Sequence, residues 1–141
     1  MASFVKFSTF VEALAEGGHD LGADTINIAL SNTAPTAATD TVFDPGGAHP
    51  APAAANGYAP AEAGHVTSAQ TAGTYKLVLD DVVFTAAGGS IGPFRYAILY
   101  NDTSATDLLI GYYDYGSSIT LLTGETFTVD FSAANGVLTV A

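Results

Sequence analysis

His19, His49 and His65 are the only imidazoles in the chain, and there is no cysteine. Nucleophilic catalysis would need a serine or threonine within reach of one histidine and an acid behind it. The nucleophile-elbow spacing G-x-S-x-G occurs at Gly88-Gly89-Ser90-Ile91-Gly92, but it lies between strands with no following helix, so it is read as a turn and not as an elbow. His49 and His65 fall in a stretch rich in proline, alanine and glycine, and His19 follows the first apolar segment. Histidines in such polar loops are expected to be solvated. No H-x-x-x-H or H-E-x-x-H spacing presents two imidazoles to zinc. The missing thiols exclude disulfides and thiolate metal sites.

The carboxylates are the next candidates, because calcium takes oxygen ligands. Asp80 and Asp81 are adjacent, and Asp102, Asp107 and Asp114 border two turns. No D-x-[DN]-x-[DN]-G loop organises them. Aspartate and asparagine recur in turns because they bond the local backbone, so these carboxylates are expected to be turn residues. Gly88-Gly89-Ser90 and Gly92 lack a lysine and a following helix, so they are turn residues and not a phosphate cradle. No catalytic residue, cofactor or metal site is expected, and the chain is read as non-enzymatic.

Tyr96, Tyr100, Tyr112, Tyr113 and Tyr115 form the densest aromatic group. Exposed tyrosines stack on sugar rings or anchor protein interfaces. Tyr96 and Tyr100 share an alternation with Phe94 and Ile98, which assigns them to the core. Tyr112 and Tyr113 point to opposite faces, so one is exposed unless both faces are covered.

The charge narrows the partners. Fourteen acids face three bases, Lys6, Lys76 and Arg95, for a formal net charge of −11. Three cations cannot neutralise a phosphate backbone, so nucleic acid is not an expected partner. Anionic membranes would repel the chain. Self-repulsion keeps free subunits soluble. Only 12% of residues are charged, about half the usual ~25%, so small polar and apolar groups must coat a surface suited to packing against neighbours. The opening segment is interrupted by Lys6, Ser8, Thr9 and Glu12, so no secretory apolar region is expected there.

These residues need elements to position them. Phe4, Phe7, Val11 and Leu14 recur at helical spacing and predict a helix over 3–16, with Ser3 as its cap and Gly17-Gly18 as its end. Residues 24–31 alternate as a half-buried strand. Residues 35–73 contain five of the six prolines and few charges. They are read as an extended arm or loop that orders against a surface, with Val42, Phe43 and Tyr58 as anchors. From Thr74 to the last residues, short alternating strands follow one another. Asn135-Gly136 is expected to fold the strand ending at Phe131 back on Val137–Val140 as a hairpin. About seven strands with regular turns give a mainly β fold class. The expected architecture is an antiparallel β-sandwich or jelly-roll-like body with a short N-terminal helix and a long Pro/Ala/Gly-rich loop, in one domain over 1–141.

The segment F-V-E-A-L-A-E-G-G-H-D-L-G-A-D-T-I-N-I-A-L-S-N-T-A-P, at 10–35, resembles small virion proteins of tailed bacteriophages. So do G-P-F-R-Y-A-I-L-Y-N-D-T at 92–103, D-Y-G-S-S-I-T-L at 114–121 and G-E-T-F-T-V-D-F at 124–131. Some such chains resemble capsid cement, or decoration, proteins: β-rich subunits on the outside of the head, often trimeric. The resemblance implies a structural protein on the outer capsid surface, made in the host cytoplasm. It implies the major capsid protein as partner and a homotrimer as the assembled form. The expected contact regions are the N-terminal segment, with Phe4, Phe7 and Val11, and the 35–66 arm, with Val42, Phe43 and Tyr58. A tail, neck or head-fibre component remains an alternative, as does a carbohydrate-binding module using the tyrosines.

Overall fold

The computed structural model describes residues 2–141, which form a mainly β, antiparallel body with one short helix. The first element is a strand, β1 (Ser3–Lys6), followed by the helix α1 (Ser8–Ala15). The helix predicted from residue 3 therefore begins five residues later. Helical spacing at Phe4 and Phe7 is overridden by pairing: β1 lies antiparallel to β8 (Leu108–Leu121), with Phe4 opposite Tyr113 and Lys6 opposite Gly111. Ser3 caps nothing; Phe7, in extended conformation, precedes the helix without a side-chain cap. The C-terminus behaves as expected. Gly18 N–H reaches Ala13 O at 2.7 Å, Gly17 N–H reaches Leu14 O at 3.3 Å, and Gly17 has φ +82°. This is a Schellman ending, which requires the left-handed glycine.

The remaining strands are β2 (Ile26–Ser31), β3 (Ala61–Glu62), β4 (His65–Thr71), β5 (Thr74–Leu79), β6 (Val82–Thr85), β7 (Ile91–Asn101), β9 (Thr126–Val129) and β10 (Leu138–Val140). They make a five-stranded sheet of order β1-β8-β7-β2-β3, a three-stranded sheet β10-β5-β4 and a two-stranded sheet β6-β9. β7 is the spine of the large sheet. Every residue from Tyr96 to Asn101 is buried, so both of its faces are covered. On one face α1 packs against β8, with the Phe7 ring 5.4 Å from Tyr112. On the other, Phe94 meets Phe127 of β9 at 4.9 Å, edge to face. One continuous core joins the three sheets, including Phe7, Ile28, Leu30, Leu77, Phe84, Phe94 and Val129.

Three further expectations are corrected. The Asp114-Tyr115-Gly116 turn does not end a strand. β8 runs through it for 14 residues, and the pairing with β7 shifts register there, with Gly116 at φ +83°. The extra residues form a bulge that reads locally like a turn. Asn135-Gly136 does turn the chain, but it carries β10 to β5 and not back to β9; Leu138 pairs with Leu77. Last, residues 35–73 are not an arm. Phe43 is buried and stacks on Tyr100 at 4.5 Å, and Thr41–Phe43 bond to residues 107–109 at the start of β8. Tyr58 is buried against Phe84. Residues 65–71 are strand β4. The segment's prolines, all at or before residue 60, leave that stretch without a strand, but its aromatic side chains dock on the chain's own body.

Candidate interaction surfaces

His19 and His49 are not solvated, and His65 is half-buried. His49 is fully buried, and both ring nitrogens are occupied. Nδ1 accepts the Asp44 N–H at 3.2 Å, so Nε2 carries the proton and donates to Asp40 Oδ2 at 3.0 Å. A base must have a free nitrogen facing substrate. His49 has none, and it serves to close the 40–49 loop. His19 is also buried, packed on Phe10 with ring centroids 5.0 Å apart. Its Nδ1 accepts from Asn101 Nδ2 at 3.1 Å, and the same amide donates to Asp24 Oδ2 at 2.6 Å. The Nε2 of His19 and that of His65 are buried without a hydrogen-bond partner. Burial holds the His19 pKa below its ordinary value, against the opposing pull of Asp24. Among the described residues no group of three or more His, Cys, Asp or Glu side chains is arranged to hold a metal ion.

Of the six expected contact residues, Phe7, Phe43 and Tyr58 are core. A side chain in the core cannot form an interface without unfolding its surroundings, so these three assignments are corrected. Val42 is half-buried beside Leu108. Val11 is 50% exposed, on the solvent side of α1. Phe4 is half-buried and lines a groove.

That groove, of about 520 Å³, opens where β1, β8 and the end of β9 meet. Its walls include Phe4, Tyr113, Tyr115, Thr128 and Asp130. Period-two alternation puts Tyr113 and Tyr115 on one side of β8, and the pairing with β1 sets Phe4 across from Tyr113, with centroids 5.2 Å apart. Phe131 and Phe127 back the two tyrosines at 5.8 and 4.8 Å. Burial pushes the Tyr113 hydroxyl up to about 12, and the Asp130 charge adds to the shift. Tyr115 moves in the same direction through burial, then Tyr113 and Asp130. The two hydroxyls and the Asp130 carboxylate therefore share one electrostatic neighbourhood. Tyr112 lies on the opposite face, against Phe7 and Tyr96. Tyr112 and Tyr113 consequently do not form a shared stacking platform. The sequence placed Tyr113 and Tyr115 in one aromatic group but gave no sign of Asp130, whose approach depends on where β9 packs.

A second surface is the β4–β5 hairpin. Ala72 and Gly73, at φ +51° and +84°, make its two-residue turn, with Thr71 opposite Thr74. This is the left-handed pair that suits the twist of a tight hairpin. Six of the seven β4 residues are exposed, and β4 is the outer strand of its sheet. It contains no Asp, Glu, Lys, Arg or Pro. No family model, curated protein or solved structure matches the chain.

Proposed function

We propose that this chain is a non-enzymatic structural virion protein of a tailed phage, a capsid cement protein that binds the outer head surface and stabilises it. Its partner is the major capsid protein, and its assembled form is a homotrimer. The observation that carries the reading is the β4 edge. Natural proteins usually protect an outer strand with charge, proline or a covering element, because its free N–H and C=O groups recruit other strands. β4 has none of the first two, and both of its faces are solvent-exposed beyond His65. An edge of this kind adds a strand to a partner, with main-chain bonds supplying the affinity. The resemblance of both ends of the chain to small virion proteins supplies the setting. The occupied nitrogens of His49 support the absence of catalysis.

A clamp on a pressurised head needs buried contact across capsomer boundaries and no reactivity. An oligomer touching several capsid subunits gains avidity from each added contact. The acidic remainder of the surface keeps free subunits apart until they find the head.

The test adds purified protein to undecorated heads. Binding and a higher thermal rupture temperature are expected. Placing charge on the edge, with Val66→Lys and Ala69→Lys together, is expected to abolish binding while leaving the fold intact, since both side chains are exposed. Heads that neither bind the protein nor gain stability would sink the proposal.

A further inference from the structure

The groove at β1 combines three features that the head-binding proposal does not use. Its walls are aromatic on both strands, with Phe4 on β1 and Tyr113 and Tyr115 on β8. It contains a carboxylate, Asp130, that has no ion-pair partner among the described residues: Arg95 pairs with Asp114, and Lys76 donates to the Ala134 carbonyl. And β1, which supplies Phe4 to the lining just after Ala2, is an outer strand of the five-stranded sheet.

We infer that this groove receives the ammonium group of a lysine carried by an extended segment of a partner protein, which pairs along β1 and inserts that side chain between Phe4, Tyr113 and Tyr115 toward Asp130. The charge selects the occupant. Aromatic faces carry negative quadrupoles and attract cations within about 6 Å of the ring centroid. A neighbouring carboxylate adds a counter-charge, and a chain of net charge −11 repels anionic ligands throughout. The strand edge selects a peptide over a free amine. Main-chain bonds to an outer strand hold the segment, and a pocket beside that strand reads one of its alternate side chains. The volume of about 520 Å³ holds a whole side chain with its flanking backbone and exceeds what a small ammonium head would fill. This inference stands independently of the capsid assignment.

The experiment titrates the full chain with two blocked five-residue peptides of alternating threonine and valine, one with a central lysine and one with norleucine in its place, followed by NMR. The lysine peptide is expected to bind about tenfold more tightly than the norleucine peptide, which corresponds to one cation–π and carboxylate contact. Shifts are expected in the rings of Phe4, Tyr113 and Tyr115 and in the β1 amides. Asp130→Asn is expected to erase the preference, whereas Glu12→Gln, on the exposed face of α1, is expected to keep it. Should Asp130→Asn disturb folding, Tyr115→Phe is expected to retain binding and Tyr115→Leu to weaken it. Equal affinity for the two peptides, shifts located elsewhere, or an undiminished preference in Asp130→Asn would overturn the inference. Binding of a neutral oligosaccharide at Tyr115 with no response to lysine would overturn it as well.

Discussion

The Leu30 amide donates to the Tyr58 hydroxyl at 2.9 Å, in the interior of the protein. β3 is only two residues long and pairs with Asn27 and Ile28, so the outer side of β2 beyond Ile28 has no strand beside it. A tyrosine from the proline-rich segment takes the place of that missing strand. Burial pushes the Tyr58 pKa up to about 12, partly offset by the bond from Leu30. Tyr58→Phe keeps the ring against Phe84 and removes only the acceptor. It leaves a buried N–H without a partner, which costs about 1–3 kcal/mol. Urea unfolding of the two proteins measures the difference. A loss below a few tenths of a kcal/mol would show that water replaces the hydroxyl.

Gly111 holds β1 in place by lacking a side chain. A Cβ there would meet the Phe4 ring and, at 2.9 Å, the Val5 carbonyl oxygen. The Phe4 ring would have to turn aside, and the Val5 carbonyl cannot retreat without disturbing the pairing of β1 with β8. Gly111→Ala is expected to destabilise the protein by about 1–3 kcal/mol and to remove hydrogen-exchange protection from Val5 and its neighbours. If protection in β1 survives, the strand has more freedom to shift than its register implies.

His19 gives the stability a pH dependence of defined sign. Its folded pKa lies below the ordinary value of 6.5, chiefly through burial. Between that lowered value and 6.5 the unfolded chain binds a proton that the folded chain refuses, so stability falls as pH drops through this window. Above it the contribution is fully present. Melting temperature measured from pH 7.5 to 5 is expected to decline, and His19→Gln is expected to flatten that decline. An unchanged slope in the variant would place the titrating group elsewhere.

Arg95 holds Asp114 through two bonds, at 2.7 and 3.0 Å. Together with the Gly116 N–H, this keeps the Asp114 carboxyl below the usual carboxylate range. Its contribution is present above that range and disappears as pH falls through the lowered value. Both side chains are about one-third exposed, so the pair contributes little to stability. Arg95→Gln is expected to move the Asp114 titration upward in a carboxyl-detected NMR experiment, with only a small change in unfolding free energy.

The existence of the core strands was legible in the sequence. β2, β5, β7 and β9 carry apolar residues at period two and each is a strand, but the half-buried strand expected over 24–31 is corrected: β2 and β7 are covered on both faces by the packed sheets, helix and loops. β1 was not legible, because four residues of Ser-Phe-Val-Lys fit either period and only the pairing with β8 decides. β4 was hidden for the opposite reason. An edge strand with neither face buried has no hydrophobic alternation to display. The long segment before it was misjudged because composition records the absence of backbone pairing, not the docking of Phe43, His49 and Tyr58. The groove shows the same division. Phe4 was chosen as a contact residue from the sequence, whereas Asp130 joins it only through the packing of the sheets.

The docking of those three side chains also fixes how the molecule comes apart. Phe43, His49 and Tyr58 are buried with the rest of the core, so the proline-rich stretch cannot be released while the sheets stay closed. Unfolding should then be a single cooperative event, with no early loss of a loose middle segment. A protease searching the native chain would find its first foothold elsewhere, at the Ala72-Gly73 tip of the solvent-exposed hairpin, even though composition marks the proline-rich stretch as the softest part of the chain.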